Sequence, residues 1–214
     1  MCSIVGSFSV DVFKDLLVLN RSRGSFSHSL TILDIYNNIT TTHKGFGEFD
    51  LSLLDNIPDG AYLLGHCQAP TNGLVKLVER IHPYEWCGYK LLHNGIIKTK
   101  GLKYLNDQMR TNYEWDTQAL AEYIITSDQA EIAAERLADI EGSFACALVN
   151  QRGRLLVFRN AIAPLFTDGF GNLSSTKFDN STSLDPNVFY DLFYLIQEFI
   201  PVGEFPNTHN PYYF

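Results

Sequence analysis

The sequence has no long hydrophobic run and no cluster of basic residues. No apolar stretch approaches the about 18 residues of a membrane-spanning helix, and the N-terminus lacks the basic stretch, apolar core and cleavage site of a signal peptide. Sixteen Lys and Arg stand against 24 Asp and Glu, which gives a formal net charge of -8. Without a Lys/Arg run to neutralise phosphates, we expect a cytoplasmic protein that binds neither nucleic acid nor membranes.

Cysteine and histidine are too scattered for a disulfide framework or a metal site. The four cysteines form no C-x-x-C pair and lie mostly in apolar stretches; they are Cys2, Cys67, Cys87 and Cys146. The six histidines have no metal-ligand spacing. We therefore expect reduced thiols, no bound metal and no cofactor.

The 214 residues, 45% of them hydrophobic, are enough for a sizeable core. No repeat, low-complexity tract or Pro/Ser-rich linker divides them, so residues 1–214 are expected to form a single domain. Strand-like and helical segments come in groups rather than in strict alternation. Such grouping favours an α+β fold in which antiparallel sheets are covered by helices.

Apolar periodicity predicts the individual elements. Strands are predicted at residues 3–10, 29–36, 61–67, 89–94, 144–150 and 154–159, the last two flanking a hairpin connection at 151–153. Helices are predicted at residues 12–24, 101–110, 116–127, 129–140 and 187–199. The first helix is expected to end at Gly24, and Asp116 is in position to cap the third.

The second residue is a cysteine that directly follows the initiator methionine, in MCSIVGSF. If an aminopeptidase removes Met1, Cys2 carries a thiol and a free α-amino group, so one residue supplies a nucleophile and its own base. The α-amino pKa of about 7.7–8.0 suits a general base, and a thiol with a pKa near 8.5 beside it is readily activated. The alternative interpretation is a small buried hydrophobic residue on the first strand.

The segment LLHNGII (91–97) ends a predicted strand in Asn94-Gly95. A side-chain amide beside a backbone N–H without a neighbouring Cβ provides the donors of an oxyanion hole. The same dipeptide is also common as a hairpin turn between two strands. From the residues alone, both interpretations stay open.

Taken together, these segments make the sequence resemble the class II glutamine amidotransferases, N-terminal-nucleophile (Ntn) hydrolases whose mature chains begin with a catalytic cysteine. Further similar segments follow in the family's order: Arg23-Gly24 in NRSRGSFSHS (20–29), GHCQAPTNG (65–73), IHPYEWCGYKLLHNGII (81–97), WDTQALAEYI (115–124), EGSFACALVN (141–150), FRNAIAPLF (158–166) and EFIPVGEF (198–205). The resemblance covers almost the whole chain. It implies a four-layer αββα sandwich of two mainly antiparallel sheets flanked by helices.

The activity implied by the resemblance is hydrolysis of the glutamine side-chain amide to glutamate and ammonia. Cys2 would attack the amide carbon, its α-amine would shuttle the proton, and Asn94 Nδ2 and the Gly95 N–H would hold the oxyanion. Water would then release glutamate from the Cys2 thioester. Members of the family usually carry a synthase domain that consumes the ammonia. Nine residues follow the last similar segment here, so we expect a stand-alone glutaminase. Either the ammonia acceptor is a separate synthase chain, or free ammonia is the product.

The resemblance also implies a glutamine pocket made of Asp116, Thr71, His82, Gln68 and Arg23. Asp116 would bind the α-ammonium through a charge-assisted hydrogen bond worth about 1.5–3 kcal/mol, with Thr71 and His82 lining the pocket. Many members have an arginine for the α-carboxylate where this chain has Gln68, and an amide cannot form a bidentate ion pair. That loss would weaken glutamine binding about 10- to 150-fold. Arg23 is the nearest candidate replacement.

Two other functions stay open because of Gln68. One is a catalytically weak or inactive Ntn domain that binds an amino acid or docks on a synthase-like partner. The other keeps the fold and the cysteine but hydrolyses a different amide, such as a γ-glutamyl compound.

Overall fold

The computed structural model describes residues 2–69, 77–126 and 131–206, which form fifteen strands and three α-helices. The strands are β1 (Ser3–Ser7), β2 (Ser27–Asp34), β3 (Ile39–Phe46), β4 (Tyr62–Gln68), β5 (Tyr84–Trp86), β6 (Tyr89–Ile97), β7 (Ile125–Thr126), β8 (Glu131–Ile132), β9 (Gly142–Val149), β10 (Leu155–Arg159), β11 (Phe166–Thr167), β12 (Leu173–Ser174), β13 (Thr182–Ser183), β14 (Val188–Phe193) and β15 (Glu198–Glu204). The helices are α1 (Val10–Asn20), α2 (Thr99–Met109) and α3 (Asp116–Ile124). Within the described ranges, no helix has the length and apolar character needed to cross a bilayer.

Two antiparallel sheets contain most of the strands. The first sheet has the spatial order β13-β11-β12-β1-β4-β2-β3, and the second has the order β15-β14-β10-β9-β6-β5. The strands β7 and β8 pair separately as a short ribbon. The first strand, β1, therefore lies inside its sheet between β12 and β4, while β6 lies between β9 and the three-residue β5.

Three hydrophobic clusters separate the four layers. Ile4 of β1 and Leu92 of β6 belong to the cluster between the two sheets. Val5, the next residue of β1, packs on the opposite face of the first sheet against Phe13 of α1. On the outer face of the second sheet, Leu120 of α3 belongs to the third cluster, which α2 also enters. The order of layers is helix, sheet, sheet, helix, and the predicted αββα sandwich is confirmed.

The predicted C-terminal helix at 187–199 is wrong, because this segment is the β14–β15 hairpin. Tyr190 and Leu192 enter the cluster between the sheets, and Val188 and Tyr194 pack against it. These side chains recur every second residue, which is the period of a strand rather than of a helix.

Other predicted boundaries also shift. The described part of 129–140 contains β8 and the 3₁₀ helix Ala134–Asp139 in place of an α-helix. Helix α1 ends at Asn20, a 3₁₀ helix follows at Arg21–Arg23, and Gly24 is extended, with φ of -176°. The strand predicted at 89–94 continues to Ile97.

Candidate active site

The alternation of side chains along the strands places Cys2 and Asn94 in the same layer, between the two sheets. Cys2 precedes β1 by one residue, so its side chain alternates onto the face of Ile4, which belongs to the cluster between the sheets. On β6, Asn94 shares a face with Leu92, a member of the same cluster. The two residues therefore approach each other from the two sheets at one end of the sandwich.

The Asn94 carboxamide is 3% exposed and contacts the Cys2 backbone. In the orientation of the amide that satisfies its neighbours, Nδ2 donates to the Cys2 carbonyl at 2.8 Å. Oδ1 then accepts from Ser175 Oγ at 3.0 Å and from Arg23 Nη2 at 3.3 Å. An amide nitrogen has two hydrogens, so one N–H holds Cys2 and the second remains for another acceptor.

Ser175 is a residue that the sequence reasoning missed. Its Oγ accepts from the Ile4 N–H at 2.9 Å, and its own N–H donates to the Ile4 carbonyl at 3.0 Å. The hydroxyl therefore links the beginning of β1 to Asn94 on the other sheet. Nothing in the local run LSST marks this role, because the pairing of β12 with β1 creates it.

Arg23 lies directly on Cys2. Its Nε donates to the Cys2 carbonyl at 3.0 Å. The next residue, Gly24, packs so closely on the end of β4 that an added Cβ would lie 2.6 Å from the Gln68 carbonyl carbon. Burial lowers the pKa of the Arg23 guanidinium from its ordinary value, yet a guanidinium stays protonated at neutral pH. Arg23 therefore supplies a fixed positive charge beside the thiol.

The half-buried Cys2 thiol donates a weak hydrogen bond to the Ala69 carbonyl at 3.6 Å. Burial raises the pKa of the thiol above its ordinary value, and the Asp116 carboxylate raises it further. The Ala69 contact and the Arg23 charge act in the opposite direction, without cancelling the effect of burial. Burial therefore disfavours the Cys2 thiolate, and a nucleophilic attack by this residue would require a base.

Gly95 lies inside β6, opposite Phe144 of β9, so the hairpin-turn interpretation of Asn94-Gly95 is wrong. The N–H and C=O of Phe144 bond to Asn160, at 3.3 and 3.0 Å, on the β10 side. In an antiparallel ladder, Gly95 must then direct its own N–H and C=O away from β9. Strand β5, the neighbour on that side, pairs with residues 89–91 of β6, so the Gly95 N–H points beyond its end.

Asp116 is the first residue of α3, and the N-cap position belongs to Trp115, whose side chain makes no capping bond. The prediction that Asp116 is the N-cap is therefore wrong by one residue. Its Oδ2 accepts from the Ile97 N–H at 3.1 Å and its Oδ1 from the Thr117 N–H at 2.8 Å. Asp116 also lines a cavity of about 700 Å³ together with Ile96 and Lys98. The carboxylate is thus attached to the end of β6 that carries Asn94 and Gly95.

The remaining predicted pocket residues have other partners. Gln68 Oε1 accepts from Ser27 Oγ at 2.8 Å. His82 is 2% exposed, and its Nε2 lies 2.9 Å from Thr117 Oγ1. Thr71 lies outside the described residues. Among the residues that the structure does describe, no group of three or more His, Cys, Asp or Glu side chains could hold a metal ion.

Comparison with solved structures gives two matches to this fold. The glutamine phosphoribosylpyrophosphate (PRPP) amidotransferase from B. subtilis, complexed with ADP and GMP, matches with a TM-score of 0.64 and 19% identity, over 90% of this chain and 47% of that chain. A structure described as the allosteric regulatory enzyme of purine biosynthesis matches with a TM-score of 0.67, at the same identity and coverage. No protein-family model and no curated protein matches the sequence.

At 19% identity these matches show the fold, which is the Ntn-hydrolase-like sandwich of two antiparallel sheets. The chain spans about half the length of the solved structures it matches, since it covers 47% of each. The activity, the substrate and the partners of this chain are therefore proposed below.

Proposed function

We propose that this chain is a glutamine amidotransferase or glutaminase domain that hydrolyses the side-chain amide of glutamine through Cys2 after removal of Met1. One observation carries the proposal: the Asn94 carboxamide lies against the Cys2 backbone, at 2.8 Å. This contact brings a candidate nucleophile and a candidate oxyanion donor to one end of the interlayer. The fold is one that an amidotransferase of solved structure also has.

The proposed reaction uses the α-amine of Cys2 as its base. The amine accepts the thiol proton, Sγ attacks the amide carbon, and the carbonyl oxygen takes the electron pair as an oxyanion. The second Asn94 N–H and the Gly95 N–H donate to that oxyanion. Its collapse breaks the C–N bond, the ammonium proton leaves with ammonia, and water then hydrolyses the thioester to glutamate. Because burial raises the pKa of the Cys2 thiol, this chemistry depends on a base that exists only when Met1 is gone.

Substrate recognition is proposed to depend on charges of both signs. Asp116 is the partner for the α-ammonium of glutamine, and the cavity it lines also contains Lys98 and Lys100. These ammonium groups, of which Lys100 also pairs with Glu141 Oε2 at 3.4 Å, are proposed to offer positive charge to the α-carboxylate in place of the arginine that Gln68 replaces. Arg23, whose Nε and Nη2 are engaged by Cys2 and Asn94, is assigned to orienting those two residues. Thr71 remains a predicted pocket residue.

The product ammonia is proposed to pass to a synthase on a separate chain in the cytoplasm. The solved structures that match are about twice as long as the region they share with this chain. Co-purification of a synthase with the tagged protein, and its ammonia-dependent activity, would test this partner.

Intact-mass spectrometry with 6-diazo-5-oxo-norleucine, a glutamine-like electrophile, tests the central proposal. We expect the purified protein to lack Met1 and to gain one adduct, and the Cys2→Ala variant to gain none. Cys87→Ser is the matched control, because Cys87 is also partly exposed, and it should react like the wild type. In a parallel assay, ammonia release from glutamine should disappear only in Cys2→Ala. Equal rates in wild type and Cys2→Ala would refute Cys2 as the nucleophile.

A second candidate function is amino acid binding without turnover. The hydrogen bond that Ser27 donates to Gln68 favours it. Calorimetry that shows glutamine binding, with no ammonia over hours, would support this candidate over the enzyme. Release of an amine from γ-glutamyl compounds, with glutamine inert, would instead assign a different amide as substrate.

A further inference from the structure

Three buried histidines meet behind the strand that carries Asn94 and Gly95. His66 of β4, His82 and His93 of β6 are 0%, 2% and 2% exposed. The rings of His66 and His82 stack with centroids 3.9 Å apart. Thr117 Oγ1 lies between two of the rings, 2.9 Å from His82 Nε2 and 3.2 Å from His93 Nδ1.

Backbone carbonyls determine which ring nitrogen of His66 and of His93 carries hydrogen. His66 Nε2 lies 3.2 Å from the His93 carbonyl, and His93 Nε2 lies 3.3 Å from the Ser143 carbonyl. A carbonyl oxygen only accepts, so both Nε2 atoms must carry hydrogen, and in a neutral ring Nδ1 is then an acceptor. The hydroxyl of Thr117 therefore donates to His93 Nδ1 and accepts from His82 Nε2–H.

This assignment agrees with the buried atoms that lack a partner. It leaves Nδ1 of His66 and of His82 unprotonated, and these are the two histidine nitrogens without a hydrogen-bond partner among the described buried side-chain atoms. In the neutral form, all three rings are then the Nε2–H tautomer. Three imidazolium charges packed this closely would repel one another.

The network connects to each proposed catalytic and binding residue of β6 and α3. The His93 carbonyl, which accepts from His66, belongs to the peptide bond that leads into Asn94. On α3, Thr117 follows Asp116, whose carboxylate also accepts from the Thr117 N–H. A shift of Thr117 would thus move Asp116 and the His93 ring together.

We propose that His66, His93 and Thr117, together with His82, form an uncharged positioning network that fixes Asn94, Gly95 and Asp116 relative to Cys2. Its catalytic consequence rests on the proposed glutaminase function, whereas its protonation pattern does not. The members are positioning residues, since each acts through the strand or helix that bears the reacting groups.

The charges around the rings favour the neutral state. Burial lowers the pKa of His66 to about 3, although the hydrogen bond to the His93 carbonyl acts in the opposite direction. Burial likewise lowers the pKa of His82 well below its ordinary value, and His66, His93 and the Lys44 ammonium of β3 act in the same direction. Lys44 donates to the Pro83 carbonyl at 2.7 Å, directly after His82. His66 and His82 are therefore uncharged throughout the physiological range of pH.

Long-range ¹H–¹⁵N spectra of the histidine side chains test the protonation pattern without any assay of activity. At pH 7 we expect His66, His82 and His93 all to show the neutral Nε2–H pattern. An Nδ1–H tautomer or an imidazolium at any of the three positions would overturn the network.

A matched pair of variants tests the positioning. Thr117→Val removes the hydroxyl and keeps the shape, whereas Thr117→Ser keeps the hydroxyl. For Thr117→Val we expect kcat to fall about 10- to 100-fold, as displaced catalytic groups do, with KM changed less, and Thr117→Ser should recover most of kcat. The rate of alkylation by iodoacetamide, which needs no oxyanion donor, should be similar in both variants. Equal kcat in the two variants would overturn the positioning role.

Backbone amide shifts separate a failure of this inference from a failure of the proposed function. If the wild type never releases ammonia, the glutaminase proposal fails, while the network is judged from the spectra alone. In that case Thr117→Val, but not Thr117→Ser, should still move the Asn94 and Gly95 amide resonances. Unchanged resonances in Thr117→Val would overturn the network whatever the activity.

Discussion

Arg23 shows how a single side chain can organise the candidate site. Its guanidinium donates to the Cys2 carbonyl at 3.0 Å and lies 3.3 Å from Asn94 Oδ1. Both contacts involve a charged donor, and such hydrogen bonds are worth about 1.5–3 kcal/mol. The side chain therefore holds the proposed nucleophile and the proposed oxyanion donor at a fixed distance.

We predict that Arg23→Gln lowers kcat/KM for glutamine about 10- to 150-fold. This factor corresponds to losing the free energy of one hydrogen bond from a charged donor. Arg21→Gln is the control, because the Arg21–Glu48 pair lies on the surface, with 72% and 65% exposure, where ion pairs contribute little. Steady-state ammonia release measures both. Similar losses in the two variants would show that Arg23 has no particular role at Cys2.

At the level of residues, the sequence was informative where the chemistry is unusual. Cys2 and Asn94 could be proposed because a cysteine behind Met1 and an amide before a glycine are distinctive. Ser175 and Thr117 could not, since a buried serine or threonine gains its role from partners that are distant in the sequence. The contact of Ser175 with Asn94 spans 81 residues.

In strand β6, two separate reasons favour a glycine at position 95. Sequence reasoning explained this glycine by open access to a ligand, but the structure adds a packing reason. A Cβ at Gly95 would lie 2.0 Å from the Ser143 carbonyl oxygen and 2.7 Å from His93 Nε2. Side chains larger than hydrogen would therefore push β6 away from β9.

Gly95→Ala should lower the free energy of unfolding by about 1–3 kcal/mol or more, because overpacking a dense contact displaces the backbone. Gly203→Ala is the matched control in β15, where an added Cβ meets nothing within 4 Å, and it should change stability by about 0.5 kcal/mol at most. Urea denaturation followed by circular dichroism measures both. Equal stability of the two variants would contradict the packing argument.

The C-terminal hairpin shows why periodicity can mislead. Apolar residues in NVFYDLFYLIQEF are so frequent that they fit a helical stripe as well as a strand. Leu195 and Ile196, which lie inside the predicted helix, are 96% and 56% exposed in the turn between β14 and β15. The hairpin forms because β10 offers β14 an edge to pair with, and a local pattern cannot contain that information.

For the whole molecule, the four-layer packing buries ionisable groups that an open structure would leave in water. His66 is the clearest case, with 0% exposure and a pKa lowered by burial to about 3. In the unfolded chain the same imidazole has a pKa near 6.5. Between these values the unfolded chain binds more protons than the folded protein, so stability decreases as the pH falls.

We therefore predict that the free energy of unfolding decreases from pH 6.5 to about 5, above the range in which most carboxylates titrate. His66→Gln should reduce this dependence, because it removes one of the buried imidazoles, whereas His43→Gln, at an exposed position of β3, should leave it unchanged. Urea midpoints at several pH values measure the slope. The same slope in His66→Gln and the wild type would contradict the prediction.

The sequence by itself determined the α+β class, the αββα layering through its resemblance to the Ntn amidotransferases, and the residues of the proposed chemistry. Those features depend on composition, on period-2 alternation and on motifs in a fixed order, all of which are local or serial properties. Only the tertiary structure decided which groups meet, such as Asn94 with the Cys2 carbonyl, Arg23 with both, and two of the three buried histidines with Thr117. These contacts depend on the pairing and stacking of strands that are far apart in the chain. The free energy of packing the whole molecule determines that arrangement, and no short segment of sequence encodes it.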